Sequence, residues 1–378
     1  MGDWRYFATT LHGDGTETLL ATDLPLTGVT LTKTLSGVDA LNAVLPVEIA
    51  HLRDDEGNPV FREWSTAFYA EKDGMIRGGG ILRTMDVEDA KVSIKAEGFV
   101  AYLHGMPYEG DEAYVDTDPL VIARHLWEHA QAFDGGNIPV VLDQTTSPVR
   151  IGTEEREVDF ETDDGEHVNF RAGPVRINWW STHDMGREFD SLAEETPFDY
   201  REVHTWTADG SIQHRIEIGY PSLGAERDDL RFVVGENVVQ PLRVTFEGAD
   251  YASEVVVLGA GEGRAMIRQS VRANERTRLR RVAVLEAREA STDVKAASIA
   301  RNELVFRYGD ADVATVVVRD HPNAPLGSFA PGDFILVQSK GSGWGDATFM
   351  WVRILEYTVD PESDNIALVV TRKERLAL

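Results

Sequence analysis

Residues 329–338 read FAPGDFILVQ and residues 349–359 read FMWVRILEYTV, and these two segments carry the clearest structural signal in the chain. Pro331-Gly332-Asp333 is typical of a turn, and the apolar run after it has the length of a short strand. The second segment predicts a long strand, and residues 366–371 predict another. The carboxyl end is therefore expected to form a β-meander, which is more typical of a structural module than of a catalyst.

The strand predicted at residues 349–359 carries large apolar side chains on both of its alternating faces. Trp351 and Leu355 lie on one face, and Ile354 lies on the other. A strand that is apolar on both faces is normally covered on both. We therefore expect one face to contact another subunit.

The overall charge restricts the possible partners. The chain has 378 residues, which predicts about two to four modules. Its 64 acidic and 37 basic residues give a formal charge of −27, which repels phosphate backbones and anionic lipids. The sequence argues against tight nucleic-acid binding, although a channel with anionic walls would let DNA slide through.

The absence of cysteine excludes disulfides, thiolate catalysis and cysteine-ligated zinc or iron–sulfur sites. The opening residues Met1-Gly2-Asp3-Trp4-Arg5 lack the basic and apolar regions of a signal peptide, and no long uncharged apolar window follows. We expect no signal-directed export and no membrane insertion.

Turn residues separate short strands from Trp4 to about Gly105, and residues 92–97 alternate with a period of two, which predicts a small antiparallel barrel or sandwich. Two helices follow. The first is predicted from the cap Asp118 and Pro119 to about Gln131, and the second from Ser291 or Thr292 to about Arg307.

Further strands are predicted between and beyond these helices. Residues 198–220 predict a hairpin around Ala208-Asp209-Gly210, and residues 243–247 and 254–258 predict two more strands. Residues 153–166 carry eight acidic side chains and one Arg156, with a turn at Asp163-Asp164-Gly165. They predict an exposed hairpin or loop, because their oxygen ligands lack the spacing of a calcium loop.

One pattern resembles a metal site. His125, Glu128 and His129 match the His-x-x-Glu-His motif of a class of zinc peptidases, on a helix that would place both imidazoles one turn apart. These three residues fall on the polar arc of that helix, so we expect them to face water. No third ligand is evident in a helical context.

Another pattern resembles a dinucleotide-binding turn. Residues 254–263 read EVVVLGAGEG, and Glu286 follows at about the distance of a ribose-binding acid. The third glycine is expected where Arg264 stands, and residues 264–281 carry many arginines without a sustained apolar stripe. A β-hairpin turn is the favoured interpretation.

Exposed aromatic residues would allow sugar stacking. Trp179-Trp180 and Trp344, the latter within residues 341–345, are the candidates, although aromatic residues more often anchor cores or subunit contacts. No nucleophile elbow or phosphate-binding loop is present, so the sequence assigns no catalytic, cofactor-binding or metal-binding residue and no cofactor. The chain is predicted not to be an enzyme.

Several segments resemble the minor tail proteins of actinobacterial siphophages. They are Asp3–Phe7, Trp64–Ala67, Gly78–Leu82, Gly98-Phe99, Pro197–Glu202, His204–Trp206, Asp209-Gly210, Gly219–Pro221, RDDLRFVVGENV at residues 227–238, Leu258–Met266 and the terminal meander. The resemblance covers essentially the whole chain, and its specificity lies in the number and order of these segments. Such tail hub proteins are similar to the baseplate hubs of contractile tails and to type VI secretion spikes.

The resemblance implies a fold and an assembly. The fold is mainly β with α/β parts, in which two small antiparallel β-barrel hub modules are separated by helix-containing segments. The expected parts are an N-terminal barrel at residues 1–107, a helix-containing α/β module with an acidic loop at 108–199, a β-rich module at 200–290, and a helix plus a meander completing the second barrel at 291–378. The expected assembly is a homotrimer.

The resemblance also implies a location and partners. The trimer would form a ring at the virion tail tip, assembled in the host cytoplasm, that binds the distal tail protein, the tape-measure protein and tip or fibre proteins. DNA would pass through the lumen without specific binding. Contacts within the ring are expected at strands 210–220 and 349–359. Two alternatives remain open: a zinc-dependent cell-wall hydrolase that uses His125 and His129, and a host-carbohydrate-binding tip protein.

Overall fold

A computed structural model describes most of the chain. It covers residues 4–88, 91–161, 167–196, 198–240, 251–261, 263, 266–274, 278–287, 290, 292–308, 314–338 and 349–372. The strand predicted at 243–247, the turn at 163–165 and Trp344 lie outside these residues. In the described ranges, no helix combines the length and the apolar character needed to span a bilayer.

The structure is mainly β. Its strands are β1 (Trp4–Leu11), β2 (Glu17–Ala21), β3 (Thr27–Thr34), β4 (Ala40–Pro46), β5 (Thr66–Lys72), β6 (Met75–Glu88), β7 (Lys91–Glu97), β8 (Asp111–Tyr114), β9 (Val140–Leu142), β10 (Arg156–Glu161), β11 (His167–Ala172), β12 (Val175–Asn178), β13 (Asp199–Trp206), β14 (Ile212–Gly219), β15 (Glu226–Phe232), β16 (Val238–Gln240), β17 (Glu254–Leu258), β18 (Arg268–Arg272), β19 (Val282–Glu286), β20 (Ala314–Arg319), β21 (Phe334–Gln338), β22 (Phe349–Asp360) and β23 (Asn365–Arg372). The helices are α1 (Val47–Ala50), α2 (Pro119–Gln131), α3 (Met185–Glu195) and α4 (Asp293–Tyr308), with a 3-10 turn at Phe99–Leu103.

One large sheet joins the two ends of the chain. It has 13 strands, and its path runs β16-β20-β23-β22-β3-β4-β7-β6-β5-β1-β2, with β21 linking β22 to β15. The antiparallel pairing of β22 with β3, in which Tyr357 lies opposite Lys33, connects the carboxyl and amino parts. The mainly β class is confirmed. No closed barrel is found among the described strands, and both end modules contribute to one hydrophobic core.

The predicted meander is confirmed as β21, β22 and β23, which pair in antiparallel order. Ile354 and Tyr357 are buried in the same core, because the irregularity between Ile354 and Glu356 places them on one face of β22, and Arg353 on the other face is buried and paired with Asp199. β22 is flanked by β21 and β3 on one side and by β23 on the other, and β14 lies between β13 and β9. Backbone pairing between subunits is therefore blocked along most of β22, and on β14 it is blocked where His214–Ile216 pair with β9.

A second core lies on the opposite face of the amino-terminal sheet. Alternate residues of β5 face different cores, so that Phe68 packs into the core shared by the two end modules, whereas Tyr69 packs against the helical part. All seven residues of β5 are buried for this reason. The helical part contains α2, α3, the 3-10 turn and the three-stranded sheet β13-β14-β9.

The predicted boundaries of α2 are confirmed. Pro119 is the first helical residue, and the Asp118 carboxylate accepts a hydrogen bond from the Leu120 N–H at 3.0 Å. The apolar arc is also confirmed, since Ile122, Leu126 and Trp127 are all buried. The sequence identified this helix because its cap and its stripe are local features.

A third, smaller core contains the sheet β18-β17-β19 and α4. The Lys295 N–H donates to Thr292 Oγ1 at 3.2 Å, which confirms one of the two predicted caps of α4. α4 packs on this sheet while the meander belongs to the large sheet. The helix and the meander of residues 291–378 therefore lie in different cores.

The two predicted hairpins are present. β13 and β14 pair in antiparallel register, with Tyr200 opposite Ile218 and His204 opposite His214. β10 and β11 form the acidic hairpin, in which Arg156 lies opposite Ala172. Glu154, Glu155 and Glu157 are exposed, as predicted for this segment.

Candidate functional site

The His-x-x-Glu-His helix does not present its imidazoles to water as predicted. The side chain of His125 is hydrogen-bonded to Tyr114, and the Glu109 N–H donates to His129 Nε2 at 3.1 Å. The two imidazole centroids lie 6.4 Å apart, and only Glu128 is exposed. Both histidines are half-buried against tyrosines that lie outside the helix. A helical projection shows only the residues of the helix itself, so it does not reveal these contacts.

A metal at α2 would need further ligands beside these two histidines. One ring nitrogen of each histidine is already hydrogen-bonded to the surrounding structure. Burial, with a smaller contribution from His125, lowers the pKa of His129. In the described ranges, no three His, Asp or Glu side chains are grouped to hold a metal ion. The arrangement packs α2 against β8 and the residues preceding it.

The glycine-rich segment after β17 is a hairpin connection, as favoured from the sequence. β17 pairs with β18 in antiparallel register, and the Ile267 N–H donates to the Ala260 carbonyl at 2.9 Å. A dinucleotide turn would lead into a helix, whereas this chain leads into another strand. Glu286 ends β19 and is exposed.

Trp179 and Trp180 form an exposed aromatic pair. Their side chains are 61% and 50% exposed, and their rings meet nearly at right angles with centroids 5.4 Å apart. Two perpendicular rings do not form one flat platform for stacking. Sugar binding at this pair remains a prediction.

A buried polar network lies where the β13-β14 hairpin packs on the amino-terminal sheet. His204 Nδ1 and His214 Nδ1 are 2.8 Å apart, and His214 Nε2 is 2.6 Å from Glu17 Oε2. The Tyr69 hydroxyl donates to Glu17 Oε1 at 2.7 Å. Burial by itself would raise the pKa of Glu17, but the hydrogen bond and charge of His214 hold it below its usual range. Four strands, β2, β5, β13 and β14, are thereby connected through side chains.

Glu202 extends the network to the 3-10 turn. Its carboxylate accepts hydrogen bonds from the N–H groups of Phe99 at 2.8 Å and Val100 at 2.6 Å. Burial, together with the nearby charge of Asp39, raises the pKa of Glu202 to about 7. Burial lowers the pKa of His204 well below its usual value.

Lys33 and Asp39 complete the network in the large sheet. Lys33 forms an ion pair with Asp39, and its Nζ donates to the Glu202 backbone carbonyl at 2.8 Å. Asp39 in turn accepts from the Thr34 N–H at 2.8 Å. Strand β3, which pairs with the carboxyl-terminal β22, is thus fixed directly to β13.

Arg353 makes a second connection between the hairpin and the meander. It lies on β22, is buried, and forms an ion pair with Asp199 of β13. It also donates to the backbone carbonyls of Leu223 at 2.9 Å and Gly332 at 3.1 Å. One side chain therefore fixes β13 and two turns to the large sheet.

A cleft of about 450 Å³ runs beside β13. Its charged lining includes Lys33, Arg77 and Arg201, and Arg201 is paired with Glu217 at 2.9 Å. Glu202, whose raised pKa is typical of functional sites, also lines it. Its carboxylate is held by backbone N–H groups of the 3-10 turn, so a structural role accounts for its burial.

One partial signal for this network is present in the sequence. His214 alternates with Ile212 and Ile216, which predicts that it lies on the apolar face of its strand, and a histidine there requires a buried partner. Glu202 and His204 follow the same alternation on β13, where Arg201 and Val203 face the other side. The partners Glu17 and Lys33 are far away in the sequence, so no local pattern identifies them.

No protein-family model and no curated protein sequence matches this chain. Among solved structures it is similar to the 43 kDa tail protein of prophage MuSo2 from Shewanella oneidensis, with 14% identity, a TM-score of 0.60, and coverage of 98% of this chain and 99% of that one. Prophage tail protein gp18 of Listeria monocytogenes gives 11% identity, a TM-score of 0.56, and coverage of 97% and 95%.

A third similar structure comes from the PdpA-VgrG complex. The identity is 6% and the TM-score 0.52, with coverage of 100% of this chain and 66% of that one. The expected resemblance to phage tail proteins and secretion-spike hubs is therefore confirmed at the level of the fold.

Proposed function

We propose that this chain is a structural subunit of a phage tail, forming a homotrimeric hub ring at the tail tip. The observation that carries the proposal is the fold shared with the MuSo2 tail protein over 98% of this chain and 99% of that one. The likeness covers nearly all of both chains, which supports a role that uses the whole fold.

The buried connections support a mechanical role. Lys33 and Arg353 fix the β13-β14 hairpin to the large sheet through charged hydrogen bonds. Breaking a buried ion pair costs several kcal/mol once one partner is left unpaired. The position of the β13-β14 hairpin relative to the large sheet is therefore strongly specified, which suits a wall segment that must keep its shape while a tail is assembled.

The acidic charge supports a role around a DNA passage. With a formal charge of −27, the surface of the ring would repel a phosphate backbone. The genome and the tape-measure protein would then pass through the lumen without adhering to it. The distal tail protein and the tip or fibre proteins would bind the outer parts of the ring.

The ring contacts we propose differ from simple strand addition. β22 is flanked on both sides along most of its length and β14 at His214–Ile216, so subunits would meet through side chains, loops and the sheet edges that remain open. The amino- and carboxyl-terminal β parts would supply two barrel-like modules per subunit, as in siphophage hubs, and a trimer would arrange six of them around the axis.

A tail hub needs no catalysis, and we propose none for this chain. The zinc-hydrolase alternative would use His125 and His129, whose imidazoles are hydrogen-bonded to Tyr114 and to the Glu109 N–H. The arrangement at α2 is explained by packing.

Purified tails test the proposal through their composition. Quantitative mass spectrometry of isolated tails, calibrated against the major tube protein, should find this chain in a copy number divisible by three. A tail preparation from a phage lacking the gene provides the control. Absence of the chain from tails, or a copy number that three does not divide, would contradict the proposal.

A further inference from the structure

The cleft beside β13 brings three cationic side chains together. Lys33, Arg77 and Arg201 line a volume of about 450 Å³. They come from β3, β6 and β13, which are far apart in the sequence and meet only in the folded chain. Each of them needs an anion or another acceptor, because a charge that is partly removed from water is costly when it stays unpaired.

Two of the three cations are matched within the chain. Lys33 forms an ion pair with Asp39. Arg201 is paired with Glu217 at 2.9 Å. Each of the two cations also donates to a backbone carbonyl. The positive charge that stays unmatched in the cleft is therefore that of Arg77.

Arg77 makes no ion pair and no hydrogen bond in the part of the chain that the structure describes, and its Nε is buried. Burial by itself would raise the pKa of the nearby Asp320, but its hydrogen bond with Lys72 holds it below the usual range, with a smaller contribution from the charge of Arg77. That carboxylate is already bound, by Lys72 at 2.7 Å and by the Leu326 N–H at 2.8 Å. A charged donor left without an acceptor normally marks a place that an ion, a water or a partner fills.

The backbone of a turn holds the Arg77 guanidinium at the cleft. Gly327 adopts φ +90°, and a Cβ there would overlap Arg77 Nη1. Because glycine adopts this conformation without strain, the turn leaves room for the guanidinium where another residue would displace it. The position of Arg77 is therefore set by packing, and its hydrogen-bonding capacity stays available.

The rest of the cleft offers one hydroxyl and an apolar wall. Tyr357 lines the cleft, and its hydroxyl makes no hydrogen bond with the described residues. Burial raises the pKa of Tyr357, so the hydroxyl stays a donor, while the charges of the three cations partly oppose that rise. Met75, which is 54% exposed, and Phe329 supply the apolar surface.

These groups fit a single carboxylate carried by an apolar segment. A guanidinium binds a carboxylate through paired hydrogen bonds, and a hydroxyl can donate another. One unmatched positive charge balances one negative charge, whereas a phosphate dianion would place excess negative charge beside Glu202 and Glu217. A cleft of this volume takes a ligand of about drug size, while a permanent subunit interface buries about 1,200 Å² or more. A short peptide segment therefore suits the cleft better than the face of a second copy.

We propose that the cleft binds an acidic side chain of another tail protein, flanked by apolar residues, with its carboxylate on Arg77. The inference rests on the proposed function and names the chemistry by which a neighbouring tail protein is held. With a formal charge of −27, the rest of the surface repels acidic segments. Such a segment is accepted where an unmatched cation lies, which gives the contact its specificity.

Two peptides that differ by one charge test the site in the purified full chain. Acetyl-Phe-Glu-Phe-amide carries the proposed carboxylate and its apolar flanks, and acetyl-Phe-Gln-Phe-amide has nearly the same shape without the charge. The first should bind at least about 10-fold more tightly, because hydrogen bonds between charged groups are about twice as strong as neutral ones. A titration followed by the NMR signals of each peptide measures both affinities.

Variants connect this preference to Arg77. Arg77→Gln should abolish the preference for the glutamate peptide, and Tyr357→Phe, which keeps the guanidinium, should reduce it. Arg187→Gln changes the net charge equally at an exposed site and should keep it. Circular dichroism should show that all three variants fold. Equal binding of the two peptides by the wild type, or a preference that survives Arg77→Gln, overturns the site.

Isolated tails test the proposed occupant. Tails of a phage carrying Arg77→Gln should keep this chain but lose most of one other tail protein, whereas tails carrying Arg187→Gln should match the wild type. An unchanged composition in Arg77→Gln tails overturns the inference and leaves the proposed function intact. Wild-type tails that lack this chain overturn the proposed function, while the peptide titration still reports on the cleft.

Two further results would replace the occupant. Self-association of the purified chain that is lost in Arg77→Gln would identify a second copy as the source of the carboxylate. Displacement of the glutamate peptide by an equal concentration of inorganic phosphate would identify a site for free anions. Either result overturns the proposal that another tail protein fills the cleft.

Discussion

The Nδ1 atoms of His204 and His214 lie 2.8 Å apart in the buried junction between the β13-β14 hairpin and the amino-terminal sheet. Two ring nitrogens at that distance share one proton, because an N–H on both would bring two hydrogens together. His214 also reaches the Glu17 carboxylate at 2.6 Å through its Nε2. One of the two rings therefore donates to the other, and burial lowers the pKa of His204 in this junction.

Replacing His204 should change how the unfolding free energy depends on pH under acidic conditions. Burial lowers the pKa of His204 in the folded protein, so below about pH 6.5 the unfolded chain binds a proton that the folded chain does not. Stability from this residue is full above that pH and falls as the pH decreases, by at most about 1.4 kcal/mol per pH unit. The unfolding free energy of His204→Asn, measured with urea at a series of pH values, should not show this decrease.

Replacing Glu202 should change the pH dependence of the unfolding free energy in the opposite direction. Its folded-state pKa is raised to about 7, so between about pH 4.5 and 7 the folded carboxyl keeps a proton that the unfolded chain releases. Stability from this residue is therefore lost as the pH rises through that window. Glu202→Gln should make the unfolding free energy rise more steeply with pH than in the wild type, and an unchanged slope would contradict the assignment.

Gly98 is required by the position of the Glu202 carboxylate. A Cβ at Gly98 would lie 2.5 Å from Glu202 Oε1, although the backbone there, at φ −54°, tolerates any residue. Gly98→Ala should therefore reduce the unfolding free energy by about 1–3 kcal/mol through the clash alone.

Gly173→Ala is the matched control for that substitution. A Cβ at Gly173 would meet only the Glu155 Cγ, at 3.7 Å. Its effect should stay within about 0.5 kcal/mol. Equal losses of unfolding free energy in Gly98→Ala and Gly173→Ala would show that Glu202 is not held in place by the 3-10 turn.

Arg353 should be among the most sensitive positions of the chain. Arg353→Met leaves Asp199 and the carbonyls of Leu223 and Gly332 without their donor, and a loss of about 3–5 kcal/mol is expected. Arg319→Met, at an exposed site, should cost far less. In a double-mutant cycle, Asp199→Asn should recover part of the loss, and purely additive effects would argue against the pair.

Metal content separates the hub from the zinc-hydrolase alternative. His125 and His129 are hydrogen-bonded to Tyr114 and to the Glu109 N–H, so the purified protein should hold no stoichiometric zinc after dialysis. His125→Ala should leave the metal content unchanged. One zinc per chain that disappears in His125→Ala would support the hydrolase.

Local features of the fold could be predicted from the sequence. Asp118 and Pro119 mark the start of α2, and Ala208-Asp209-Gly210 marks the turn of the β13-β14 hairpin, because caps and turns depend on neighbouring residues. The meander was recognisable from the same kind of signal at Pro331-Gly332.

Long-range features could not be predicted. The pairing of Tyr357 with Lys33 joins residues at opposite ends of the chain, and no local pattern specifies a partner at that separation. His125 and His129 looked solvent-facing because a helical projection omits Tyr108 and Tyr114, which come from outside the helix. The partners of His214 were hidden for the same reason.

A reconstruction of isolated tails tests the trimeric hub most directly. Three copies of this chain should surround an axial channel at the tail tip. A single copy, or a chain attached at the periphery with an ion or cofactor bound in the cleft beside β13, would contradict the account.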